Sequence, residues 1–223
     1  MGGVYEPDES SRIPPPPAED ELELHRRAYD VRSYRIDDST LRLRGRITDT
    51  KPAGIYVSAD PEPLDVHDMV VDLIVDYPSL TITGAEVIFD SHPHTTCPEI
   101  EGDYSALVGE SIARGFSRRV TELFGGPSGC THVGALLRSM APAAVQSIYS
   151  MRLTATGSAK TESSDEERRR ARAFTINSCH VWAEDGEWAR SVADGTAAEA
   201  PVWLERRLRK LDRLDELADW GPL

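Results

Sequence analysis

The sequence predicts an α+β protein with an antiparallel sheet of three to five strands and helices that pack on one side of it. From about residue 26, apolar and polar residues alternate with a period of two, which is typical of half-buried strands. From about residue 97, apolar residues recur at the three- and four-residue spacing of helices. The length of 223 residues suits one globular domain with short appendages. Together these observations give the α+β class.

The first two strands are predicted to form a hairpin. The runs "YDVRSYRI" and "TLRLRGRI" alternate in polarity and are separated by "DDS", which is a turn signal. In the second run, the odd-numbered positions include Leu41, Leu43 and Ile47. The even-numbered positions include Arg42, Arg44 and Arg46. This pattern predicts one buried face and one solvated face, on which acidic residues pair the arginines. Anion binding by the arginines is the alternative.

Two further strands follow the hairpin. The run "VHDMVVDLIVDY" is densely apolar at its centre, as expected of a central strand, and "LTITGAEVIFD" is the fourth strand. Only "PS" separates the two runs, which predicts a tight antiparallel connection.

The helical half begins where the chain reaches Cys97. We expect a short helix there, a turn at Gly109 and a second helix at about residues 112–124. After a glycine pair comes a long helix that continues past Pro142 toward Met151. Its apolar stripe consists of Val133, Leu136, Leu137 and Met140.

The predicted organisation has four segments. Residues 1–22 form a disordered proline-rich arm, and residues 23–152 form the α+β core. Residues 153–173 are a charged linker or solvated helix. Residues 174–223 form an extension with a short strand or loop pair and an extra amphipathic helix, whose leucine face packs on the domain or forms a homo-oligomer. That face consists of Leu204, Leu208, Leu211, Leu214 and Leu217.

Composition excludes several classes of protein. The formal net charge of −13 argues against a nucleic-acid binder or a protein of anionic membrane surfaces. No apolar run approaches the ~20 residues that span a bilayer, and the N-terminus lacks a secretory signal pattern. A cytoplasmic, reducing setting is therefore expected. Three cysteines far apart in sequence form no disulfide framework there.

Two of the three cysteines are predicted to begin helices. Cys97 precedes Pro98, a residue that suits the first helical position, and Cys130 follows a glycine-rich turn. The free N–H groups and positive dipole end of a helix favour a thiolate, which is the form that binds metal or attacks a carbon atom. A buried structural role for Cys130 is the alternative.

The histidines near these cysteines are the remaining candidates. His132 lies in the same predicted helical turn as Cys130, but two residues apart on a helix diverge, so His132 is expected beside the site rather than in it. His67 opens the third strand. Cys179 and His180 are adjacent, so at most one of them enters a given site. Imidazole and thiolate together suit zinc or iron.

The chain resembles a bacterial family known only as domain of unknown function 2889. The likeness is carried by "GCTHVGALL", "NSCH", the "HDM" strand start and "LVGESIARGF", and it covers roughly residues 26–186. It implies no activity, because none is assigned to that family.

The order of elements between about residues 66 and 142 also resembles the U-type iron–sulfur cluster scaffolds. In those proteins a Cys-Gly-Asp precedes a strand, and two later cysteines each begin a helix. His67 and Asp68 stand where the Cys-Gly-Asp would be, and Cys97 and Cys130 match the later cysteines. Glu110 replaces the lysine of an intervening turn.

This second resemblance implies a scaffold-like core in which His67, Cys97 and Cys130 converge on one face as metal ligands. Asp68 or His132 is the candidate for a fourth group. Because a histidine replaces the first cysteine, the resemblance implies a permanently held zinc or iron ion rather than a mobile all-cysteine cluster.

Three functions are consistent with the sequence. The first is a His/Cys metal-site protein, leaning to a metal-dependent hydrolase or lyase for a small carbonyl or carboxylate substrate. The second is a metal or iron–sulfur carrier or assembly partner. The third is metal-free, either an interaction module or a thiol-dependent enzyme with a cysteine nucleophile and a histidine base. The candidate catalytic residues are His132, Asp68 and His180.

Overall fold

The computed structural model describes residues 20–77, 79–113, 115–156, 175–194 and 202–219. Most of the predicted arm at 1–22 and of the predicted charged linker at 153–173 lies outside these ranges. The chain divides into one compact unit that ends at Val145 and another that begins at Gln146. Each unit is described by itself below.

The first unit contains a four-stranded antiparallel sheet whose spatial order follows the chain. Its strands are β1 (Arg26–Arg35), β2 (Thr40–Lys51), β3 (Leu64–Asp76) and β4 (Thr81–Ser91). Each strand pairs with the next, and a bulge between Asp49 and Thr50 shifts the register between β2 and β3. The predicted α+β class and the predicted antiparallel sheet are confirmed.

One face of the sheet is the apolar face predicted from alternation. The apolar residues of β2 and β3 on this face are at most 1% exposed; they are Leu41, Leu43, Ile47, Met69, Val71, Leu73 and Val75. Burial of each such side chain contributes about 1.5–3 kcal/mol relative to exposure. This face therefore forms the core of the unit.

The opposite face of the sheet carries charge pairs. Asp72 accepts hydrogen bonds from both Arg42 and Arg44, with the closest N–O distance 2.6 Å in each case. Arg46 Nε donates to Asp68 Oδ1 at 2.8 Å. The three arginines thus make the acidic pairs that the alternation predicts.

Helices follow the sheet. A 3₁₀ helix spans Cys97–Leu107 with Thr96 as its N-cap, and it is followed by α1 (Phe116–Phe124) and α2 (Thr131–Thr156). The helix predicted from Cys97 is confirmed. The helix α2 also continues through Pro142, as predicted. The predicted stripe of Val133, Leu136, Leu137 and Met140 is completely buried.

The second predicted helix begins later than residue 112. This segment instead hydrogen-bonds to β4 and to the residue before it: Glu110 O accepts from Ile82 N, and Ile112 N donates to Leu80 O, both at 2.9 Å. Gly109 and Gly115 have φ angles of +94° and +89°, which are left-handed conformations that break a right-handed helix. The helix α1 therefore starts at Phe116.

The close approach of α2 to the sheet depends on Gly45. A Cβ atom at this position would lie 2.8 Å from Met140 Sδ and 3.0 Å from Leu136 Cδ1. We expect Gly45→Val to lower the free energy of unfolding by about 2 kcal/mol through overpacking, measured by urea denaturation. The control is Gly102→Val, because a Cβ at residue 102 meets nothing within 4 Å. Equal losses in the two variants would contradict close packing at Gly45.

The second unit contains α3 (Glu187–Ala193) and α4 (Val202–Lys210). The strand or loop pair predicted around Cys179 is instead a turn and a short 3₁₀ helix at His180–Trp182. Asn177 adopts a left-handed φ of 59°, and its N–H donates to Trp182 O at 2.8 Å, which closes this segment on itself.

The leucine stripe predicted for the C-terminal helix is interrupted. Leu204 and Leu208 on α4 are buried, whereas Leu211 and Leu214 are 53% and 40% exposed. Asp212 has a left-handed φ of 54°, and Arg213 N donates back to Leu208 O at 3.0 Å. These features end the helix, and a separate 3₁₀ helix follows at Leu214–Asp219.

Candidate functional site: a buried carboxylate with three imidazoles and a thiol

The site lies at one end of the apolar face of the sheet. Asp49 continues the buried parity of β2, and its register partners are Arg27 on β1 and His67 on β3. The three residues therefore form a row across three neighbouring strands. Because α2 crosses this face, its first turn adds His132 to the same end.

Asp49 is the centre of this row and is only 2% exposed. Arg27 donates to both of its oxygens, from Nε to Oδ1 at 2.6 Å and from Nη2 to Oδ2 at 2.7 Å. These hydrogen bonds outweigh the opposing effect of burial and lower the pKa of Asp49 to about 2. The carboxyl is therefore ionised at neutral pH despite its burial.

Three imidazoles surround this carboxylate. His25 Nε2 lies 3.3 Å from Asp49 Oδ1, while His67 Nδ1 and His132 Nε2 lie 3.2 Å and 3.0 Å from Oδ2. The rings of His67 and His132 stack with centroids 3.9 Å apart. Burial, and next the neighbouring His67, lower the pKa of His132, so its imidazole is neutral at pH 7.

His67 Nδ1 has an unusual environment. The atom is buried, but its contact with Asp49 Oδ2 is out of line, so it has no hydrogen-bond partner among the described residues. Unpaired buried polar atoms are rare in proteins and mark sites that bind a ligand, water or an ion. Asp49, His67 and His132 each also present one donor atom within 4.8 Å of the others.

Cys130 lies on the far side of His132. Its Sγ is 3.6 Å from His132 Nδ1, and its backbone N–H donates to Tyr104 Oη at 2.9 Å. The expectation that Cys130 and His132 diverge is wrong. Cys130 precedes α2, and its carbonyl accepts the hydrogen bond of Gly134, so the rule for two residues within a helix does not apply to it.

The other predicted site residues lie elsewhere. Asp68 is on the opposite face of the sheet, where Arg46 holds it. Cys97 follows β4, which ends beside β3, and it does not belong to the group of three donor residues. Cys179 and His180 are exposed in the second unit. The role of Cys97 as a metal ligand, together with His67 and Cys130, stays a prediction.

Sequence reasoning missed Asp49 and Arg27. Asp49 continues the parity of Leu41, Leu43 and Ile47, and a carboxylate on the apolar parity of a strand was a signal that it would be buried. Arg27 had no comparable signal, because only the register of β1 against β2 places it opposite Asp49.

This arrangement defines an α+β protein with a carboxylate–imidazole–thiol site at the start of a long helix. The chain belongs to the DUF2889 family, described as a protein of unknown function, whose model matches residues 25–146. The matched segment includes every residue of the site. No curated protein and no solved structure matches the chain. Within the described residues, no helix combines the length and apolar character that a membrane span requires.

Proposed function

We propose that this protein is a thiol-dependent enzyme in which Cys130 is the nucleophile, His132 its base and Asp49 the group that orients His132. One observation carries this proposal: the two nitrogens of a single imidazole contact a thiol at 3.6 Å and a buried carboxylate at 3.0 Å. A nucleophile in contact with a base, which a third group orients, is the arrangement that activates weak nucleophiles.

The charge states suit this chemistry. With the pKa of Asp49 held at about 2, its carboxylate accepts the Nε2 proton of His132. That hydrogen bond leaves Nδ1 unprotonated and facing Sγ. Because the pKa of His132 is lowered, the ring is neutral at pH 7 and able to accept the thiol proton. Asp49 thereby selects the tautomer that the reaction needs.

The position of Cys130 also favours a reactive thiol. It immediately precedes α2, a helix of 26 residues, so its sulfur lies near the positive end of the helix dipole. The thiol is also partly exposed, which lets a substrate reach it. The hydrogen bond from Cys130 N to Tyr104 fixes the backbone of the nucleophile.

The reaction class that follows is acyl transfer from a small ester or thioester. Cys130 Sγ bonds to the carbonyl carbon while its proton passes to His132 Nδ1. The carbon–oxygen or carbon–sulfur bond then breaks, and the leaving group takes that proton. His132 next takes a proton from a water molecule, whose oxygen attacks the carbonyl carbon of the acyl thioester. The bond between that carbon and Cys130 Sγ breaks, the acid is released, and His132 gives its proton to the sulfur.

The three cysteines of the chain provide an internal test. Native protein is treated with limiting iodoacetamide at pH 7 in the presence of a chelator, and alkylation of each cysteine is followed by peptide mass spectrometry. Cys179 is exposed, so accessibility alone makes it the fastest. We expect Cys130 to react about tenfold faster than Cys179, because an unassisted thiol is only a few per cent ionised at pH 7.

The matched control is Cys130→Ser, which should leave the alkylation rates of Cys97 and Cys179 unchanged. Faster alkylation of Cys179 than of Cys130 would contradict an activated thiol. Turnover of ester and thioester panels by the unmutated protein, lost in Cys130→Ser, is the functional readout.

The reduced thiols that this chemistry requires fit a cytoplasmic setting. A small molecule is the expected partner, and self-association is proposed for the exposed Leu211 and Leu214. A carrier or iron–sulfur assembly role, with zinc or iron held by His67, Cys97 and Cys130, is the alternative function. This alternative would be favoured if purified protein contained bound metal that was lost on substitution of any one of these three residues.

A further inference from the structure

We propose that Asp49, His67 and His132 form a binding site for a divalent transition-metal ion of the zinc or ferrous class. This site differs from the ligand set that the sequence suggests, because it contains one carboxylate and two imidazoles and no thiolate. It goes beyond the thiol chemistry, since His67 exchanges no proton in that reaction. The two activities exclude each other at any one moment, because an ion on His132 Nε2 replaces the proton that Asp49 accepts there.

Two of the three separations between the donor atoms fit one ion. Ligands about 2.1 Å from a common ion at angles of 90–110° lie about 3.0–3.4 Å from each other. Asp49 Oδ2 is 3.0 Å from His132 Nε2 and 3.2 Å from His67 Nδ1. All three donor atoms lie within 4.8 Å of one another. The rings of His67 and His132 stack at an interplanar angle of 28°, so they must tilt for both of these nitrogens to point at one ion.

The partnerless nitrogen of His67 is the second observation. Nδ1 is buried beside the carboxylate and makes no hydrogen bond with the described part of the chain. An ion bonded to this lone pair and to Asp49 Oδ2 satisfies both atoms at once. It also explains why two imidazoles crowd one carboxylate oxygen.

Arg27 fits a supporting role around such an ion. It binds the carboxylate through Oδ1 and Oδ2, and each carboxylate oxygen has a second lone pair that remains for other partners. Partners of this kind fix the orientation of a ligating side chain. Two nitrogens and one oxygen are ligands that suit zinc and ferrous ions and leave coordination positions open.

The experiment is a titration of chelator-treated full-length protein with Zn²⁺ against a chromogenic chelator, repeated with Co²⁺ to record its absorption spectrum. We expect one ion per chain and a loss of affinity of at least tenfold in His67→Asn and in His67→Gln. Circular dichroism and urea denaturation verify that each variant is folded. The Co²⁺ spectrum should lack the near-ultraviolet sulfur-to-metal band.

Two variants separate this site from the proposed function. Cys130→Ser should bind Zn²⁺ as the unmutated protein does, while its thiol chemistry is lost. His67→Asn should lose the metal, while alkylation of Cys130 in the presence of a chelator continues. His180→Asn, which removes an exposed imidazole in the second unit, should keep affinity within about threefold of the unmutated protein. A sulfur-to-metal band, or full affinity in both folded His67 variants, would overturn the proposal.

Discussion

Asp49→Ala is expected to lower the free energy of unfolding by about 2–4 kcal/mol. The carboxylate is 2% exposed and binds Arg27 through two hydrogen bonds. Removing one partner of a buried pair leaves the other without compensation, which typically costs about 3–5 kcal/mol. Because the Arg27 side chain is 38% exposed, water recovers part of that loss.

The matched control is Asp30→Ala. Asp30 also accepts two hydrogen bonds from one arginine, Arg32, but the side chains are 56% and 66% exposed. Exposed pairs of this kind contribute about 0.2–1 kcal/mol. Urea denaturation of both variants measures the difference. Similar losses in the two would show that the burial of Asp49 does not matter for stability.

The same carboxylate predicts how stability depends on pH. The pKa of Asp49 falls from 3.8 in the unfolded chain to about 2 in the folded protein, so between these values the unfolded state binds more protons. Its stabilisation is therefore complete above about pH 4 and is lost as pH falls toward about 2. The stability of Asp49→Asn should fall less over this range than that of the unmutated protein.

Local patterns were sufficient to predict the sheet. The alternation of leucine and arginine in β2 identified its buried and charged faces, because side chains on a strand point to opposite sides regardless of the rest of the fold. The stripe on α2 was predicted in a similar way, because apolar residues three and four positions apart lie on one face of a helix. The second helix was predicted to start too early, since Ile112 N donates to Leu80 O and Gly115 has a left-handed φ of +89°, and these features outweigh local helix propensity.

The site was less accessible from sequence because its members come from four separate elements. His67 and His132 were singled out by residue type, but their common partner Asp49 was hidden among many acidic residues. Its burial follows from parity, whereas its pairing with Arg27 follows from the register of β1, which alternation alone does not fix. The contact of Cys130 with His132 depends on where α2 begins, and one residue of difference reverses that expectation.

The second large effect is kinetic and concerns the base. His132→Asn is expected to slow alkylation of Cys130 at pH 7 by about tenfold, because the side chain that accepts the thiol proton at 3.6 Å is removed. At about pH 10 an unassisted thiol is fully ionised, so the rates of the variant and the unmutated protein should converge there. A general loss of structure would instead accelerate alkylation at every pH.

The control for this prediction is His67→Asn, with a chelator present in all reactions. His67 stacks on the His132 ring and contacts Asp49, whereas the Cys130 thiol contacts Nδ1 of His132. Its loss should change the alkylation rate of Cys130 less than threefold, since the contact between thiol and base survives. The two variants thus distinguish the loss of the base itself from the loss of a neighbouring imidazole. The opposing result is a ratio of the Cys130 alkylation rates of His132→Asn and the unmutated protein that stays constant across pH 6–10. That result would rule out His132 as the base and leave accessibility as the cause of the reactivity of Cys130.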